Sequence, residues 1–128
     1  MFAKFPDLTV VLLESGVSWL PAHMWRLTKF WKGVRSEIPW VTAPPTDIVR
    51  DRVRLTIQPL DGPADPAALD RLMEHIGSDE MLLFATDYPH WQFDGMAALP
   101  DGLSAALRQK IMVDNPLRTY PRLRETAT

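Results

Sequence analysis

An acid and a histidine stand at the end of an unbroken apolar run. Residues Met81 to Ala85 are all apolar, and Thr86-Asp87-Tyr88-Pro89-His90 follows them. Such a run is typical of a strand that is covered on both faces, as in a parallel sheet. In α/β proteins, ligand-binding and catalytic groups collect just beyond the carboxyl ends of these strands. Asp87 and His90 are therefore the first candidates for a catalytic or ligand-binding role.

A structural role fits the same pattern. An aspartate after a strand commonly closes an Asx turn or caps the next helix, and Tyr-Pro by itself only marks a turn. A second acid, Glu14, leaves the apolar run Val10 to Leu13 just before a glycine turn. Glu14 and Asp87 could thus lie on the same edge of one sheet. For Glu14, a surface position at a strand end is as consistent with the sequence as a ligand role.

Three strand and helix units account for most of the chain. From their apolar and β-branched content, strands are predicted at residues 9–13, 53–58 and 81–85. From their apolar spacing and their proline and glycine punctuation, helices are predicted at residues 18–33, 65–77 and 103–113. Ser18 and Asp65 are the expected N-caps of the first two helices, and Asp114-Asn115-Pro116 is expected to start a final helical turn. The alternation predicts an α/β fold.

The remaining aromatic and histidine residues are interpreted as structural. An aromatic platform is conceivable, but rings at these spacings usually pack in a core: Trp19, Trp25, Trp31 and Trp40. His23 has no ligand partner four residues away in either direction, so it is assigned a structural role. His75 lies off the apolar stripe of its helix and is predicted to be solvated.

Composition limits the class of protein and its partners. The 128 residues, 46% hydrophobic and 23% charged, predict one soluble globular domain. A net charge of −2 without a basic run favours neither nucleic acid nor an anionic membrane. The absence of cysteine excludes disulfides, thiolate metal sites and a cysteine nucleophile. The apolar run from Leu8 to Leu13 is too short for a signal peptide core or a membrane span, so we expect a cytoplasmic protein.

Several motifs together resemble one enzyme family. They are Phe5-Pro6-Asp7-Leu8, Glu14-Ser15-Gly16-Val17-Ser18-Trp19-Leu20-Pro21, Trp25-Arg26-Leu27, Thr56-Ile57-Gln58-Pro59, Leu83-Phe84-Ala85-Thr86-Asp87-Tyr88-Pro89-His90-Trp91 and Asp114-Asn115-Pro116-Leu117-Arg118-Thr119-Tyr120. As a set, these motifs are similar to the C-terminal portion of metal-dependent amidohydrolases of the amidohydrolase-2 family. That group includes aminocarboxymuconate-semialdehyde decarboxylase-like enzymes.

The resemblance implies a fold, an activity and a site. The implied fold is the C-terminal part of a (β/α)8 barrel, with about three βα units. The implied activity is hydrolysis or decarboxylation of a small carboxylic or amide-bearing molecule, with a divalent metal, commonly zinc. Asp87 matches the family's metal-binding and proton-accepting acid after the last strand. Glu14 stands where the family commonly has a histidine, so it could ligate the metal, orient a histidine or do neither. His90 and Trp91 are the expected substrate contacts.

The resemblance also implies what this chain lacks. The family's first-strand His-x-His pair and middle-strand histidine have no counterpart here. We therefore expect a truncated barrel domain over residues 1–121 and a disordered tail over residues 122–128. Three strands taken from a barrel would expose two open edges, so a homo-oligomer or docking on an upstream polypeptide is expected. The alternative is a catalytically inert α/β fragment or an oligomerising module without a complete metal site.

Overall fold

The structure, a computed structural model, describes residues 1–91, 93 and 95–125 and contains one parallel sheet. Its strands are β1 (Val10–Leu12), β2 (Val53–Thr56) and β3 (Leu82–Leu83). They are ordered β1-β2-β3, so β2 is central. Leu12 pairs with Leu55, and Leu55 pairs with Leu82. The predicted α/β fold with parallel strands is confirmed.

Helices connect and cover the strands. The described helices are α1 (Leu20–Val34), α2 (Pro45–Arg52), α3 (Pro66–Ile76), α4 (Ala105–Gln109), α5 (Asn115–Thr119) and α6 (Arg122–Glu125), with a 3₁₀ turn at Gly95–Ala98. The predicted limits of α3 are confirmed, because the Asp65 carboxylate accepts from Ala68 N and Gly77 ends the helix at a φ of +66°. Within the described part of the chain, no helix is long and apolar enough to cross a membrane.

The hydrophobic core joins the sheet to α1, α3 and the C-terminal helical segment. Fully buried side chains come from each of these elements: Leu20, Met24, Leu55, Ile57, Leu69, Ile76, Met81, Leu82 and Ile111. Along β2 the polar residues Arg54 and Thr56 alternate with these apolar ones and are also buried. Strands β2 and β3 are thus buried on both faces, whereas β1 is only partly buried.

The strands are shorter than their apolar runs predicted. The third was expected to reach residue 85, but β3 ends at Leu83. The reason is a competing partner, since Phe84 N donates to the carbonyl of Ile111 in the C-terminal helical segment at 3.0 Å. An apolar run specifies burial, whereas a strand also needs a neighbouring strand for its backbone groups.

The prediction that Ser18 caps α1 is wrong. The helix begins one residue later, with Trp19 at the N-cap position and no side-chain capping bond. The Ser18 hydroxyl instead donates to Asp61 Oδ2 at 2.6 Å, because that carboxylate lies against the turn that leads into α1. The Ser18 side chain therefore acts as a donor to Asp61 and is not the acceptor that a helix cap requires.

The tryptophans divide into two groups. Trp31 is partly buried, and its indole Nε1 donates to Val41 O at 3.2 Å, which confirms the packing interpretation for this ring. Trp25 and Trp40 are 52% and 62% exposed, so the same interpretation is wrong for them. His75 is exposed, as predicted, and its ring contacts Trp25.

The C-terminal helices form one continuous run with a π-helical segment at its centre. Helix α5 begins at Asn115 with Pro116 in its first turn, as predicted, but Asp114 makes no side-chain cap. Its backbone is already helical, because the π-helix Lys110–Asp114 links α4 directly to α5. In this segment Asn115 N donates to Lys110 O, five residues earlier. Pro116 has no N–H to offer the preceding turn, so a wider turn accommodates it without breaking the helix.

Asn115 attaches this helical run to β3. Its side chain is 2% exposed, and its Nδ2 donates to Asp79 O at 2.8 Å and to Leu82 O at 3.0 Å. Two ion pairs reinforce the same junction, Lys110 with Asp79 at 2.5 Å and Arg118 with Glu80. The hydrogen bond from Arg118, aided by its charge, outweighs the effect of burial and lowers the pKa of Glu80.

The chain beyond α5 is only partly covered by the structure. Residues 122–128 were predicted to form a disordered tail, but Arg122–Glu125 form helix α6. Arg124 Nε donates to Leu117 O at 3.0 Å, which ties α6 to α5. Residues 126–128 lie outside the described residues, so for them the prediction stays a prediction.

Replacing Leu83 with alanine tests the buried third strand. Leu83 is 2% exposed, so the substitution should lower the free energy of unfolding by about 2–5 kcal/mol through lost burial and a cavity. Urea denaturation followed by circular dichroism measures this change. Leu13→Ala is the matched control, because Leu13 is 68% exposed and its loss should cost less than about 0.5 kcal/mol. If the two substitutions had equal effects on the free energy of unfolding, Leu83 and its strand β3 would not be part of the core.

Candidate active site

The carboxyl ends of the three strands bring the candidate residues to one edge of the sheet. Glu14 follows β1, Gln58 follows β2 and Asp87 follows β3. Because β2 lies between the outer strands, the backbones of β1 and β3 are separated by about 10 Å. Glu14 and Asp87 therefore share an edge, as their positions in the sequence indicated, without being neighbours in the sheet.

Asp87 and His90 form a pair within one turn. His90 Nδ1 lies 3.3 Å from Asp87 Oδ2, and His90 N donates to Asp87 O at 2.7 Å. The Asp87 side chain is 20% exposed and that of His90 is 48% exposed, so solvent reaches the imidazole more readily. A histidine that bonds to a carboxylate restricts the orientation of both groups. The pair can accept and pass on a proton at the carboxyl edge.

The backbone at Asp87 is held in an uncommon conformation. Its φ of +60° lies in the left-handed region, which aspartate and asparagine tolerate better than other residues with a Cβ. The backbone carbonyl of Asp87 closes the turn to His90, while its carboxylate lies 3.3 Å from the imidazole Nδ1. The structural and the chemical interpretations of Asp87 are therefore compatible, since different atoms serve each role.

Glu14 also has a left-handed backbone, with a φ of +52°. Its N–H donates to the Thr56 hydroxyl of β2 at 3.1 Å, which fixes the end of β1 against the central strand. The side chain is exposed. Glu14 is thus anchored through its backbone, and its carboxylate faces solvent at the edge that carries Asp87.

Trp91 continues the loop that carries the pair. Its ring is 82% exposed and lies 5.7 Å from the ring of His90, centroid to centroid. Tyr88 and Phe93 meet edge to face at 5.2 Å in the same loop. The predicted substrate contacts His90 and Trp91 are therefore adjacent to one another and to Asp87.

The sequence interpretation missed Asp61. Its Oδ1 accepts from Val17 N at 2.6 Å and from Ser18 N at 3.0 Å, and its Oδ2 accepts from the Ser18 hydroxyl. Gly16 leaves room for this carboxylate, because a Cβ there would lie 2.6 Å from it. Asp61 therefore holds the loop after β1, which carries Glu14, against the loop after β2. The only signal in the sequence was a second glycine turn, at Asp61-Gly62, following a strand end.

The ionised form of Asp61 is favoured by its bonding partners. Burial raises the pKa of this carboxyl, but the hydrogen bonds from Ser18 and Val17 outweigh burial and hold the pKa below its usual value. Each of these donors bonds better to a carboxylate than to a carboxylic acid. Asp61 is thus an ionised acceptor at neutral pH.

The described residues do not form a complete metal site. Across residues 1–91, 93 and 95–125, no group of three or more histidine, aspartate or glutamate side chains is placed to hold a metal ion. A zinc site needs about three protein ligands. Asp87 and His90 are close together, but Glu14 belongs to the other outer strand. The assignment of Asp87 and Glu14 as ligands stays a prediction.

Two cavities of the molecule are lined by residues other than Asp87, His90 and Glu14. One of about 580 Å³ is lined by the N-terminal segment and the region around α2, including Phe2, Trp40 and Ile48. Asp87, His90 and Glu14 are not among its lining residues. The candidate site is identified by the chemistry of its residues and by their place at the carboxyl edge of the sheet.

Replacing Asp61 with alanine tests its role in the loop. The loss of its hydrogen bonds should lower the free energy of unfolding at pH 7 by about 1–2 kcal/mol. The folded-state pKa lies below the unfolded value of about 3.9, so this stabilisation is present above that pH and is lost as the pH falls through the folded-state pKa. Urea denaturation measures the difference in unfolding free energy between wild type and Asp61→Ala. This difference should be smaller at about pH 3 than at about pH 7. Asp101→Ala, at an exposed position, should show little effect at either pH.

Comparison with known proteins identifies the family. The amidohydrolase family model Amidohydro_2 matches residues 1–122. An amidohydrolase from Mycobacterium avium subsp. paratuberculosis K-10 is similar over 91% of the chain, with 25% identity and a TM-score of 0.63. A dihydroxybenzoic acid decarboxylase from Polaromonas sp. JS666, with bound manganese and the inhibitor 2-nitroresorcinol, is similar over 94% of the chain, with 24% identity and a TM-score of 0.59.

The matches cover most of this chain but only about a third of each solved structure. The chain spans 29% of the first solved structure and 36% of the second, which fits the predicted part of a (β/α)8 barrel. No curated protein matches the sequence significantly. The family match over nearly all of the described residues shows that the chain belongs to the amidohydrolase family Amidohydro_2.

Proposed function

We propose that the chain carries the proton-transfer part of the active site of a hydrolase or decarboxylase. Its substrate would be a small carboxylic or amide-bearing molecule. The observation that carries this proposal is the Asp87–His90 pair, 3.3 Å apart at the carboxyl edge of a parallel sheet. Catalytic residues of barrel enzymes occupy this edge, and the family to which the chain belongs contains enzymes of this type.

Asp87 is the proposed proton acceptor. Its carboxylate is mostly shielded from solvent, while the His90 imidazole restricts its orientation through Nδ1. A carboxylate held in this way can take a proton from water or from a substrate without first reorganising. Asp87 is thus the group at this edge whose loss should affect the reaction most.

His90 and Trp91 are the proposed substrate contacts. The imidazole is half-exposed, and when both of its nitrogens carry a proton, Nε2 can donate a hydrogen bond to an anionic or carbonyl oxygen. The exposed indole ring of Trp91 can stack on a flat apolar part of the same molecule. A substrate with a carboxylate or an amide attached to a small planar body would use both residues.

The family is metal-dependent, and a divalent metal, probed first as zinc, belongs to this proposal. Asp87 is the proposed ligand from the third strand, and Glu14, from the first strand, is the proposed second ligand. Because the described residues do not complete a three-ligand set, another polypeptide or another copy of the chain would have to supply the rest.

A catalytically inert role is the second candidate. The absence of a three-ligand group among the described residues favours it. The motifs that match the family would then stabilise the fold, as the backbone bond of Asp87 to His90 does. Such a chain would bind no metal and would show no hydrolysis or decarboxylation.

Asp87→Asn separates the two candidates. Asparagine also tolerates the left-handed backbone at this position, so the fold should be retained with a change below about 1 kcal/mol in unfolding free energy. Where copies of the chain complete the ligand set, elemental analysis and zinc titration should give about one metal per wild-type chain and at least about tenfold weaker binding in the variant. Asp101→Asn is the control, since this exposed acid lies outside the site.

The same variants test the reaction. With small aromatic carboxylates and amides as substrates, Asp87→Asn should lower kcat/KM by about 10²–10⁴-fold, as expected for the loss of a general base. The control should retain activity. Wild-type protein that binds no added zinc and shows no activity would support the inert candidate. A folded variant that loses much of its stability but keeps the wild-type metal affinity would assign Asp87 to the turn alone.

A further inference from the structure

The turn between β1 and α1 holds hydrogen-bond donors that converge on one carboxylate. Asp61 Oδ1 accepts from Val17 N at 2.6 Å and from Ser18 N at 3.0 Å. Asp61 Oδ2 accepts from the Ser18 hydroxyl at 2.6 Å. Each oxygen of the carboxylate is therefore bound by its own donors. The donor set, which consists of Val17 N, Ser18 N and the Ser18 hydroxyl, is called here the carboxylate nest.

The backbone of the turn leaves space for the bound group. Gly16, directly before the donors, has a left-handed φ of +66°, and a Cβ on this residue would lie 2.6 Å from the Asp61 carboxylate. Successive backbone N–H groups in turns of this kind form a concave anion-binding site. The donors and the space both belong to the turn after β1, whereas the carboxylate comes from the loop after β2. The nest is thus separable from the group that fills it.

The nest is open to solvent at the edge that carries the candidate active site. Both Asp61 and Ser18 are exposed. Val17 lies three residues after Glu14, so the nest follows the carboxyl end of β1. A dissolved carboxylate can therefore reach the donors when the Asp61 side chain rotates away from them.

We propose that the carboxylate nest binds the carboxylate of a small-molecule ligand, which takes the place of the Asp61 side chain. A carboxylate has two acceptor oxygens in one plane, and its charge strengthens the hydrogen bonds that it accepts. A primary amide has one acceptor oxygen, and its NH2 group would point donors at the donors of the nest. The nest therefore selects a carboxylate over an amide of the same size.

This inference rests on the proposed function only where it identifies the ligand as the substrate. The nest follows β1 and Asp87 follows β3, and the backbones of these strands are about 10 Å apart. A carboxylate bound in the nest therefore anchors the substrate and is not the group that reacts at Asp87. The substrate class narrows to molecules with a carboxylate on the order of 10 Å from the reacting bond.

Formate tests the nest by replacing a carboxylate that has been removed. Asp61→Ala removes the carboxylate and keeps the donors. Sodium formate at about pH 7 should raise the melting temperature of this variant in a saturable way, relative to sodium chloride at the same concentration. Formamide, a neutral molecule of similar size, should give no saturable increase. Wild type should need at least about tenfold more formate, because its own carboxylate competes for the donors.

A double variant and an unrelated acid provide the controls. Adding Ser18→Ala to Asp61→Ala should weaken formate binding about tenfold, as expected for the loss of a hydrogen bond to a charged group. Asp101→Ala removes another exposed carboxylate, and its response to formate should equal that of wild type. Circular dichroism confirms that each variant is folded.

A titration of wild-type protein gives a second measurement that needs no variant. The backbone amide resonances of Val17 and Ser18 should move when benzoate is added and should not move with benzamide. If Asp61→Ala does not fold, this titration alone decides the proposal.

The outcomes separate the nest from the catalytic proposal. A folded Asp61→Ala protein that responds to formate no more than to chloride would overturn the nest. So would equal effects of formate and formamide, or wild-type resonances of Val17 and Ser18 that ignore benzoate. Carboxylate binding by a wild-type chain that catalyses no hydrolysis or decarboxylation would support the nest and contradict the proposed function.

Discussion

The arrangement of the loops at the carboxyl edge of the sheet depends on the hydrogen bonds to the Asp61 carboxylate. This carboxylate accepts bonds from Val17 and Ser18, residues more than forty positions away, and so joins the loops after the first two strands. The sheet hydrogen bonds position a strand up to its last residue, but the loop residues that follow need hydrogen-bond partners outside the sheet. The Thr56 hydroxyl performs the same task for Glu14. Both contacts turn adjacent loops into one surface, which is a precondition for chemistry at that surface.

The contacts that hold β3 in place and the proposed site lie at opposite ends of this strand. Asn115 and the pairs of Asp79 and Glu80 with basic residues of the C-terminal helices lie at the start of the strand. Asp87 lies beyond its end. A barrel-type unit can therefore tolerate changes in the loop around Asp87 while the helix contacts keep the strand in place. The amidohydrolase family to which this chain belongs is built on such units, so this separation suits a site that varies in substrate.

Local features of the sequence accounted for the fold to a large extent. Unbroken apolar runs identified the three strands, and Asp65-Pro66 and Gly77 set the limits of α3, because caps and left-handed glycines act over a few residues. The proximity of Asp87 and His90 could be predicted for the same reason. Long-range contacts could not. Nothing near Ser18 indicated that its hydroxyl would bond to Asp61, and nothing near Phe84 indicated that its N–H would leave the sheet for Ile111. The exposure of Trp25 also depends on the tertiary structure, since spacing alone assigns a ring to a helix face without saying what covers that face.

The π-helical segment at Lys110–Asp114 has a consequence for the junction with β3. A π-turn is equivalent to one extra residue inserted into an α-helix, and one residue rotates everything after it by about 100°. Asn115 follows the segment directly, so its amide reaches the Leu82 carbonyl only because of this rotation. The segment thus sets the phase of α5 relative to the sheet. Shortening it by one residue would turn Asn115 toward solvent and present a different helix face to β3. The length of this segment therefore helps to specify the fold, in addition to its composition.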